Sequence, residues 1–195
     1  MNVETGTLKP GEARCPAEST QEIIARDRVK APAWAASESY EFLGSDDISK
    51  DRYTEASFAK GEFEKLWTRT WQVACREDHI PEAGDYYVYD IGPYSFVVVR
   101  DDEDEIHAHF NACLHRGTKL KPSATEGYAM NLKCPFHGWT WNLDGSVQEI
   151  PEKWDFAHLA KKKMCLPEAR VALLGGFVWI NMDPDAPSLE DYLGT

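Results

Sequence analysis

Two short stretches of this 195-residue chain each carry one cysteine and one histidine, and they constrain the fold more than any other feature. In NACLHRG, Cys113 lies two residues before His115; in CPFHGW, Cys134 lies three residues before His137, after a gap of eighteen residues. Either pair alone is a weak signal. Thiolates and imidazoles together form a donor set for a soft or borderline metal. We therefore expect a fold that brings the two loops together around one site.

The chain around these stretches carries the pattern of short strands. From about residue 71 to 183, apolar alternating segments are separated by turn signals at Gly92-Pro93, Asp101 to Glu105, Asp144-Gly145 and Gly175-Gly176. The turn from Asp101 to Glu105 is entirely acidic, but it lacks the residue spacing of a calcium-binding loop and is predicted to be a solvated hairpin tip. The sequence predicts a mainly β protein of antiparallel sheets, with both Cys/His stretches on loops between strands.

The first part of the chain predicts a helical lead-in segment. A short helix is expected in AESTQEIIARDRV, followed by irregular chain in APAWAASESYEFLGSDD, so residues 1–50 form a lead segment. A second helix is expected in YTEASFAKGEFEKLWTRTWQVA, capped by Thr54 or Ser57, with strand periodicity from Trp71. The main domain is predicted to span residues 51–185.

Composition excludes several classes of protein. The net charge of −12 disfavours binding to nucleic acid, and no apolar run reaches the roughly 20 residues that span a bilayer. The N-terminus shows no secretory signal, so a cytoplasmic location is predicted. Five cysteines at irregular spacing do not indicate a disulfide framework, and Cys15, Cys75 and Cys165 are predicted to have no chemical role.

The remaining histidines receive structural interpretations. His107 and His109 lie two apart on a predicted strand and therefore face the same side. Because no cysteine or carboxylate accompanies them at matching spacing, they are predicted to be exposed or hydrogen-bonded strand residues. His79, before Ile80-Pro81, is interpreted as part of a turn.

The four Cys/His residues can be interpreted as the ligands of either of two kinds of metal centre. A structural zinc site uses the same donors, but zinc fingers pair cysteine with cysteine and histidine with histidine. A binuclear iron–sulfur cluster explains one residue of each type per loop, with two thiolates on one iron and two imidazoles on the other. Gly117 and Gly138 would let the loops curl around the sulfides, and Leu114, Phe136 and Trp139 would shield the cluster from water.

CLHRG and CPFHGWTWNLDG resemble the Rieske domain of ring-hydroxylating oxygenase large (alpha) subunits, and the resemblance extends over about residues 50–195. It implies a Rieske [2Fe-2S] fold in which Cys113 and Cys134 bind one iron and His115 and His137 the other. Respiratory-type Rieske proteins carry an extra cysteine in each loop, where this chain has Thr118 and Phe136. Trp139 and Trp141 replace their Ser and Tyr donors, which indicates a low-potential cluster.

The resemblance also implies a relay of electrons. A ferredoxin or flavin reductase would reduce the cluster, and His137 is the candidate exit ligand towards a mononuclear Fe(II) in a catalytic domain that this sequence lacks. Residues 186–195 would begin the linker to that domain, and residues 1–50 would pack on it or on a neighbouring subunit. A homotrimer or an alpha–beta hexamer is expected for the full-length oxygenase. The alternative is a free-standing Rieske ferredoxin without catalysis.

Local charge adds an expectation about docking. Between Ala112 and Trp139 the chain has one acidic residue and four basic residues, although the whole chain is strongly acidic. A basic patch around the cluster would steer an acidic redox partner to that face. Loop lysines that serve only solubility are the competing interpretation. The four bases are Arg116, Lys119, Lys121 and Lys133, and the acid is Glu126.

Overall fold

The computed structural model describes residue 18 and residues 20–33, 47–159 and 164–194. Two compact units, Met1–Lys50 and Asp51–Thr195, make up the chain. Helix α1, Thr20–Arg26, confirms the helix predicted in the first unit. Cys15, most of the stretch predicted to be irregular and the basic run Lys161 to Lys163 lie outside the described residues.

The second predicted helix is present but interrupted. It consists of α2 (Asp51–Thr54), α3 (Ala56–Glu62) and a π-helical turn, Phe63–Trp67. The predicted caps are wrong for α3, because Glu55 precedes it in an extended conformation and makes no side-chain capping bond. That extended residue breaks the helix in two. None of the helices in the described ranges combines the length and apolarity needed to cross a bilayer.

A seven-stranded antiparallel sheet dominates the second unit. Its strands are β1 (Gln72–Arg76), β2 (Asp85–Ile91), β3 (Tyr94–Arg100), β4 (Ile106–Phe110), β5 (Glu126–Tyr128), β9 (Glu168–Leu174) and β10 (Phe177–Asn181). Their spatial order is β1-β10-β9-β4-β3-β2-β5, so the first and last strands, β1 and β10, pair at one edge of the sheet. The predicted hairpins β2–β3, β3–β4 and β9–β10 are confirmed. Strand β5 was not predicted, because EGY is too short to show a period.

A smaller antiparallel sheet lies between β5 and β9 in the sequence. It contains β6 (Leu132–Lys133), β7 (Thr140–Trp141) and β8 (Val147–Glu149) in that order. The Asp144-Gly145 turn joins β7 to β8, as the sequence predicts. An unpredicted 3₁₀ helix, Lys153–Leu159, follows β8. The mainly β, antiparallel fold class is therefore confirmed.

Strand β3 divides the interior into two apolar clusters. Successive side chains on a strand point to opposite faces, and all four residues from Phe96 to Val99 are fully buried. Phe96 and Val98 join the cluster that contains residues of β1 and β10, whereas Val97 and Val99 join the cluster that contains residues of the small sheet. The second cluster is where the Cys/His loops are anchored.

The acidic turn after β3 is exposed from Asp102 to Glu105, as predicted for a solvated tip, but Asp101 at its start is buried. Asp101 is only 8% exposed, and its Oδ1 accepts the backbone N–H groups of Glu103 and Glu105, both at 2.9 Å. Burial alone would raise the pKa of Asp101, but these bonds and the one with His107 hold it below its usual value. Asp101 is therefore a structural carboxylate that organises the turn.

Candidate metal centre

The two Cys/His loops share one backbone design. In the first, Cys113 N–H donates to the Thr118 carbonyl at 2.9 Å, and Gly117 N–H donates to the Cys113 carbonyl at 2.8 Å. In the second, Cys134 N–H donates to the Trp139 carbonyl at 2.8 Å, and Gly138 N–H donates to the Cys134 carbonyl at 3.1 Å. In each loop, therefore, the backbone N–H and carbonyl groups of the cysteine both make hydrogen bonds that close a tight turn.

A left-handed glycine closes each turn, as the sequence analysis expects. Gly117 and Gly138 have the same φ of 73°, a region in which a side chain is strained. A Cβ would meet no atom within 4 Å at Gly117 and only ordinary contacts at Gly138. The requirement for glycine therefore comes from the backbone conformation, which lets both loops turn back on themselves.

The two cysteines sit at the bottom of these turns. Cys113 is 2% exposed and Cys134 is 3% exposed, and both belong to the apolar cluster under the small sheet. Burial raises the pKa of the Cys113 thiol, and the neighbouring Cys134 raises it further, while the backbone N–H of His115 opposes them. Thiols must lose their protons to bind a metal, so a cation is needed to stabilise this pair as thiolates.

The two histidines lie together but differ in exposure. Their ring centroids are 4.7 Å apart, with His137 exposed and His115 half-buried. His115 stacks on Trp139 at 4.8 Å with an interplanar angle of 5°, and its Nδ1 is buried without a hydrogen-bond partner. Burial, His137 and Arg116 all lower the pKa of His115. A neutral ring with a free buried nitrogen lone pair is suited to metal coordination.

The apolar shell around the loops differs from the predicted one. Trp139 is buried as expected, but Leu114 and Phe136 are 45% and 60% exposed and shield little. Phe156 of the 3₁₀ helix takes their place, because its ring meets both His115, at 5.5 Å, and Trp139, at 5.1 Å, edge to face. Phe156 was not predictable from the sequence, because it lies in a segment with no regular period.

Trp141 supplies a second unpaired buried group beside the thiols. It is fully buried, and its indole N–H has no hydrogen-bond partner in the protein. The same N–H lies close enough to the Cys113 thiol to lower its pKa. A buried donor without an acceptor is costly, so this N–H fits an acceptor such as a thiolate or sulfide at the site.

His79 lies in a turn, as the sequence predicts, and the described cysteines Cys75 and Cys165 belong to other segments of the chain than the two Cys/His loops. The four described cysteines, Cys75, Cys113, Cys134 and Cys165, form no disulfide. Burial, with smaller contributions from Glu126 and Glu77, raises the pKa of Cys75 to about 12. His79 ends a 3₁₀ turn, and its Nδ1 lies 2.7 Å from Glu126.

His107 and His109 are hydrogen-bonded strand residues, as expected, but the expected lack of a carboxylate companion is wrong. His109 pairs directly with Glu168 of β9 in the antiparallel ladder. His107 Nδ1 lies 3.4 Å from the same carboxylate. Spacing along the sequence could not reveal this contact, because Glu168 comes from a strand far along the chain.

Comparison with known proteins places these loops in a family. Residues 70–160 match the Rieske [2Fe-2S] domain family. The chain is 35% identical over 149 residues to the anthranilate 1,2-dioxygenase large subunit of Acinetobacter baylyi, covering 75% of this chain and 31% of that protein. It is 34% identical over 142 residues to the carnitine monooxygenase oxygenase subunit of Escherichia coli, covering 72% of this chain and 37% of that protein.

A solved structure agrees with these relatives. Naphthalene 1,2-dioxygenase from Rhodococcus sp. superimposes with a TM-score of 0.67 at 36% identity, over 72% of this chain and 32% of that one. The chain thus spans about a third of the length of the curated relatives it matches. Residues 70–160 therefore carry a Rieske [2Fe-2S] domain, and the chain is similar over 142 to 149 residues to one part of dioxygenase and monooxygenase subunits.

Proposed function

We propose that this chain is the electron-transfer domain of the terminal oxygenase component of a ring-hydroxylating dioxygenase. It would receive electrons from a ferredoxin or a flavin reductase and pass them to a mononuclear non-haem iron in a catalytic domain. One observation carries the proposal: two matched turns bring two buried thiols and two adjacent imidazoles together. The sequence similarity to an oxygenase large subunit, which extends over 149 residues, supports the proposal.

Cys113 and Cys134 would hold one iron of the [2Fe-2S] cluster, and His115 and His137 the other. The residues fit this group, because the buried Nδ1 of His115 and the indole N–H of Trp141 both lack partners in the protein. The cluster supplies a one-electron carrier of raised potential relative to an all-cysteine cluster. The protein contributes the buried thiol pair, the two adjacent imidazoles and the left-handed turns that hold them.

His137 would be the ligand through which electrons leave. Its ring is exposed, whereas His115 is covered by Trp139 and Phe156. Phe136 contacts the His137 ring at a centroid distance of 3.9 Å and is itself exposed. A partner surface can therefore approach His137 directly, and a hydrogen bond from an imidazole N–H is a short path for coupling to an acceptor.

The alternative, a free-standing Rieske ferredoxin, is less well supported, because the matches are to oxygenase subunits and reach beyond residues 70–160. We propose an aromatic or other apolar ring as substrate of the full-length enzyme. A homotrimer or alpha–beta hexamer in the cytoplasm is its proposed state. The residues that select the substrate belong to the catalytic domain.

Metal analysis of the chain purified without air tests the cluster. We expect two irons and two acid-labile sulfides per chain, and a rhombic electron paramagnetic resonance signal after reduction with dithionite. A colourless protein that holds stoichiometric zinc would overturn the proposal in favour of the structural zinc site. Rapid electron transfer from the reduced chain to a separately supplied catalytic domain would distinguish an oxygenase component from a ferredoxin.

Trp141→Phe is expected to lower the reduction potential of the cluster. Phenylalanine keeps most of the buried ring but removes the N–H beside Cys113, and a hydrogen bond to sulfur stabilises the more negative reduced state. If this hydrogen bond is about 1 kcal/mol stronger in the reduced state than in the oxidised state, its loss lowers the reduction potential by roughly 40 mV for one electron. Spectroelectrochemical titration of both proteins measures the shift. An unchanged or raised potential would contradict this role for the indole.

The basic patch is expected to act through Arg116 more than through Lys119 and Lys121. Lys119 Nζ lies 3.3 Å from Asp90, and Lys121 Nζ lies over the Tyr86 ring at 4.5 Å, so both lysines have partners within the domain. Arg116 is exposed and lies over Phe136, next to His137.

Arg116→Glu should therefore slow reduction by an acidic ferredoxin about tenfold at low salt, with a smaller effect at high salt. Stopped-flow reduction measures the rate. Lys60→Glu on α3 makes the same charge change outside the loops and serves as the control. Equal rates for Arg116→Glu and the control at low salt would show that the patch does not steer the partner.

A further inference from the structure

A second group of metal-ligating side chains lies outside the Cys/His loops, at the junction of β4 and β9. His107, His109 and Glu168 place one nitrogen or oxygen atom each within 4.8 Å of one another. Glu168 Oε2 is 3.4 Å from His107 Nδ1 and 3.9 Å from His109 Nδ1. The two rings are stacked, with an interplanar angle of 9°. Two imidazole nitrogens therefore converge on one carboxylate.

The far side of each ring is already engaged by an acceptor. His109 Nε2 lies 2.8 Å from the Leu143 carbonyl, and His107 Nε2 lies 3.0 Å from Asp101 Oδ2. An imidazole that donates its Nε2–H carries its lone pair on Nδ1 when it is neutral. A carbonyl or carboxylate behind the ring is the usual outer partner of a metal-binding histidine. Both rings are thus oriented with Nδ1 towards Glu168.

His109 gives the strongest reason for a bound cation. It is fully buried, and its Nδ1 has no hydrogen-bond partner. Its lone pair faces the Glu168 carboxylate, so two electron-rich atoms oppose each other at a distance of 3.9 Å. Burial lowers the pKa of His109 below its usual value, against the opposing effects of the Leu143 carbonyl and the Glu168 carboxylate. A divalent cation between His109 Nδ1 and Glu168 Oε2 would accept a lone pair from each of them.

We propose that His107, His109 and Glu168 form a binding site for a divalent first-row transition ion, represented by Zn²⁺. Two imidazoles and a carboxylate leave one position of a zinc tetrahedron for water. In a zinc tetrahedron the ligand atoms lie roughly 3.3 Å from one another. The ligand atoms here lie within 4.8 Å of one another, so the side chains must move together by about an ångström when the ion binds. Glu168 is half exposed and free to make that movement, and it opens the site to solvent.

Such an ion would join parts of the domain that are distant in sequence. It would link β4 to β9 and, through the bond to the Leu143 carbonyl, to the segment after β7. Leu143 belongs to the same buried cluster as Cys113 and Cys134. The site would stabilise the frame on which the Cys/His loops are built. It does not depend on the iron–sulfur cluster, because it shares no ligand with it.

Zinc titration of the cluster-loaded chain tests the proposal. Isothermal titration calorimetry is expected to show one Zn²⁺ per chain, with a rise in the thermal unfolding midpoint, while Mg²⁺, which prefers oxygen ligands, has no effect. Iron and sulfide measured in the same sample show that the Cys/His loops stay occupied. Zinc-edge X-ray absorption should find nitrogen and oxygen ligands near about 2.0–2.1 Å and no sulfur at about 2.3 Å.

Variants connect the binding to these residues. Glu168→Gln and His107→Gln should weaken zinc binding at least tenfold, and Asp101→Asn should weaken it by roughly 10- to 100-fold through loss of the outer partner. Glu126→Gln is the matched control, because Glu126 is a similarly exposed carboxylate beside the single histidine His79. Absence of saturable zinc binding, or equal affinity in Glu168→Gln and Glu126→Gln, would overturn the proposal.

Discussion

Replacing Cys134 with serine is expected to abolish the iron–sulfur cluster. Cys134 is buried at the base of the second loop, next to the Cys113 thiol, so no other cysteine of the two loops can take its place. A serine hydroxyl is a hard, weakly acidic donor and a poor substitute for a thiolate on iron. We expect loss of the visible absorption and of nearly all iron and sulfide, measured after purification without air.

Cys75→Ala provides a control of matched burial. Cys75 is also buried, at 6% exposure, but it lies on β1, outside the two Cys/His loops, and burial raises the pKa of its thiol to about 12. This variant should keep the full cluster and lose only a modest amount of stability. If Cys134→Ser retained the visible spectrum, or if Cys75→Ala lost it, the assignment of the ligands would be wrong.

Trp141→Ala is expected to have the largest effect on stability. Trp141 is fully buried in the cluster under the small sheet and pairs with Leu132 across β6 and β7. Truncating a buried tryptophan typically costs about 3–5 kcal/mol, a large share of the roughly 5–15 kcal/mol that stabilises a domain. Thermal or denaturant unfolding should show a markedly lower midpoint, with faster bleaching of the cluster in air.

Trp154→Ala removes the same side chain from the surface. Trp154 is 75% exposed, so its loss should change the free energy of unfolding by no more than about 0.5 kcal/mol. Trp141→Phe should fall between the two variants, because it retains most of the buried ring. Similar unfolding midpoints for Trp141→Ala and Trp154→Ala would show that the small sheet is not anchored by Trp141.

The sequence predicted the local features that depend on near neighbours. Hairpins such as β2–β3 and β9–β10 follow from alternating apolar residues and a turn signal between them. Gly117 and Gly138 were predicted to let the two loops curl because they lack side chains, and both adopt the left-handed conformation. The helix after Asp51 was predicted, but its interruption at Glu55 was not.

Features that depend on distant contacts were not predictable from spacing. Phe156 covers His115 from a 3₁₀ helix that shows no periodic pattern. In the sequence, Asp101 is one of several consecutive acidic residues predicted to be solvated. In the structure it is buried, and its carboxylate accepts hydrogen bonds from two backbone N–H groups of the turn. Glu168 reaches His107 and His109 only because β9 lies beside β4 in the large sheet.

The sequence by itself determined the set of metal-binding groups and the left-handed turns. Thiol and imidazole side chains, and the conformational freedom of glycine, are properties of single residues and do not depend on distant contacts. Tertiary structure alone decided which groups are buried, which ring nitrogens lack partners and which strands meet. Those properties arise from sheet order, since β9 and β10 return to pair with β4 and β1 from the far end of the chain. Local periodicity carries no information about such pairing.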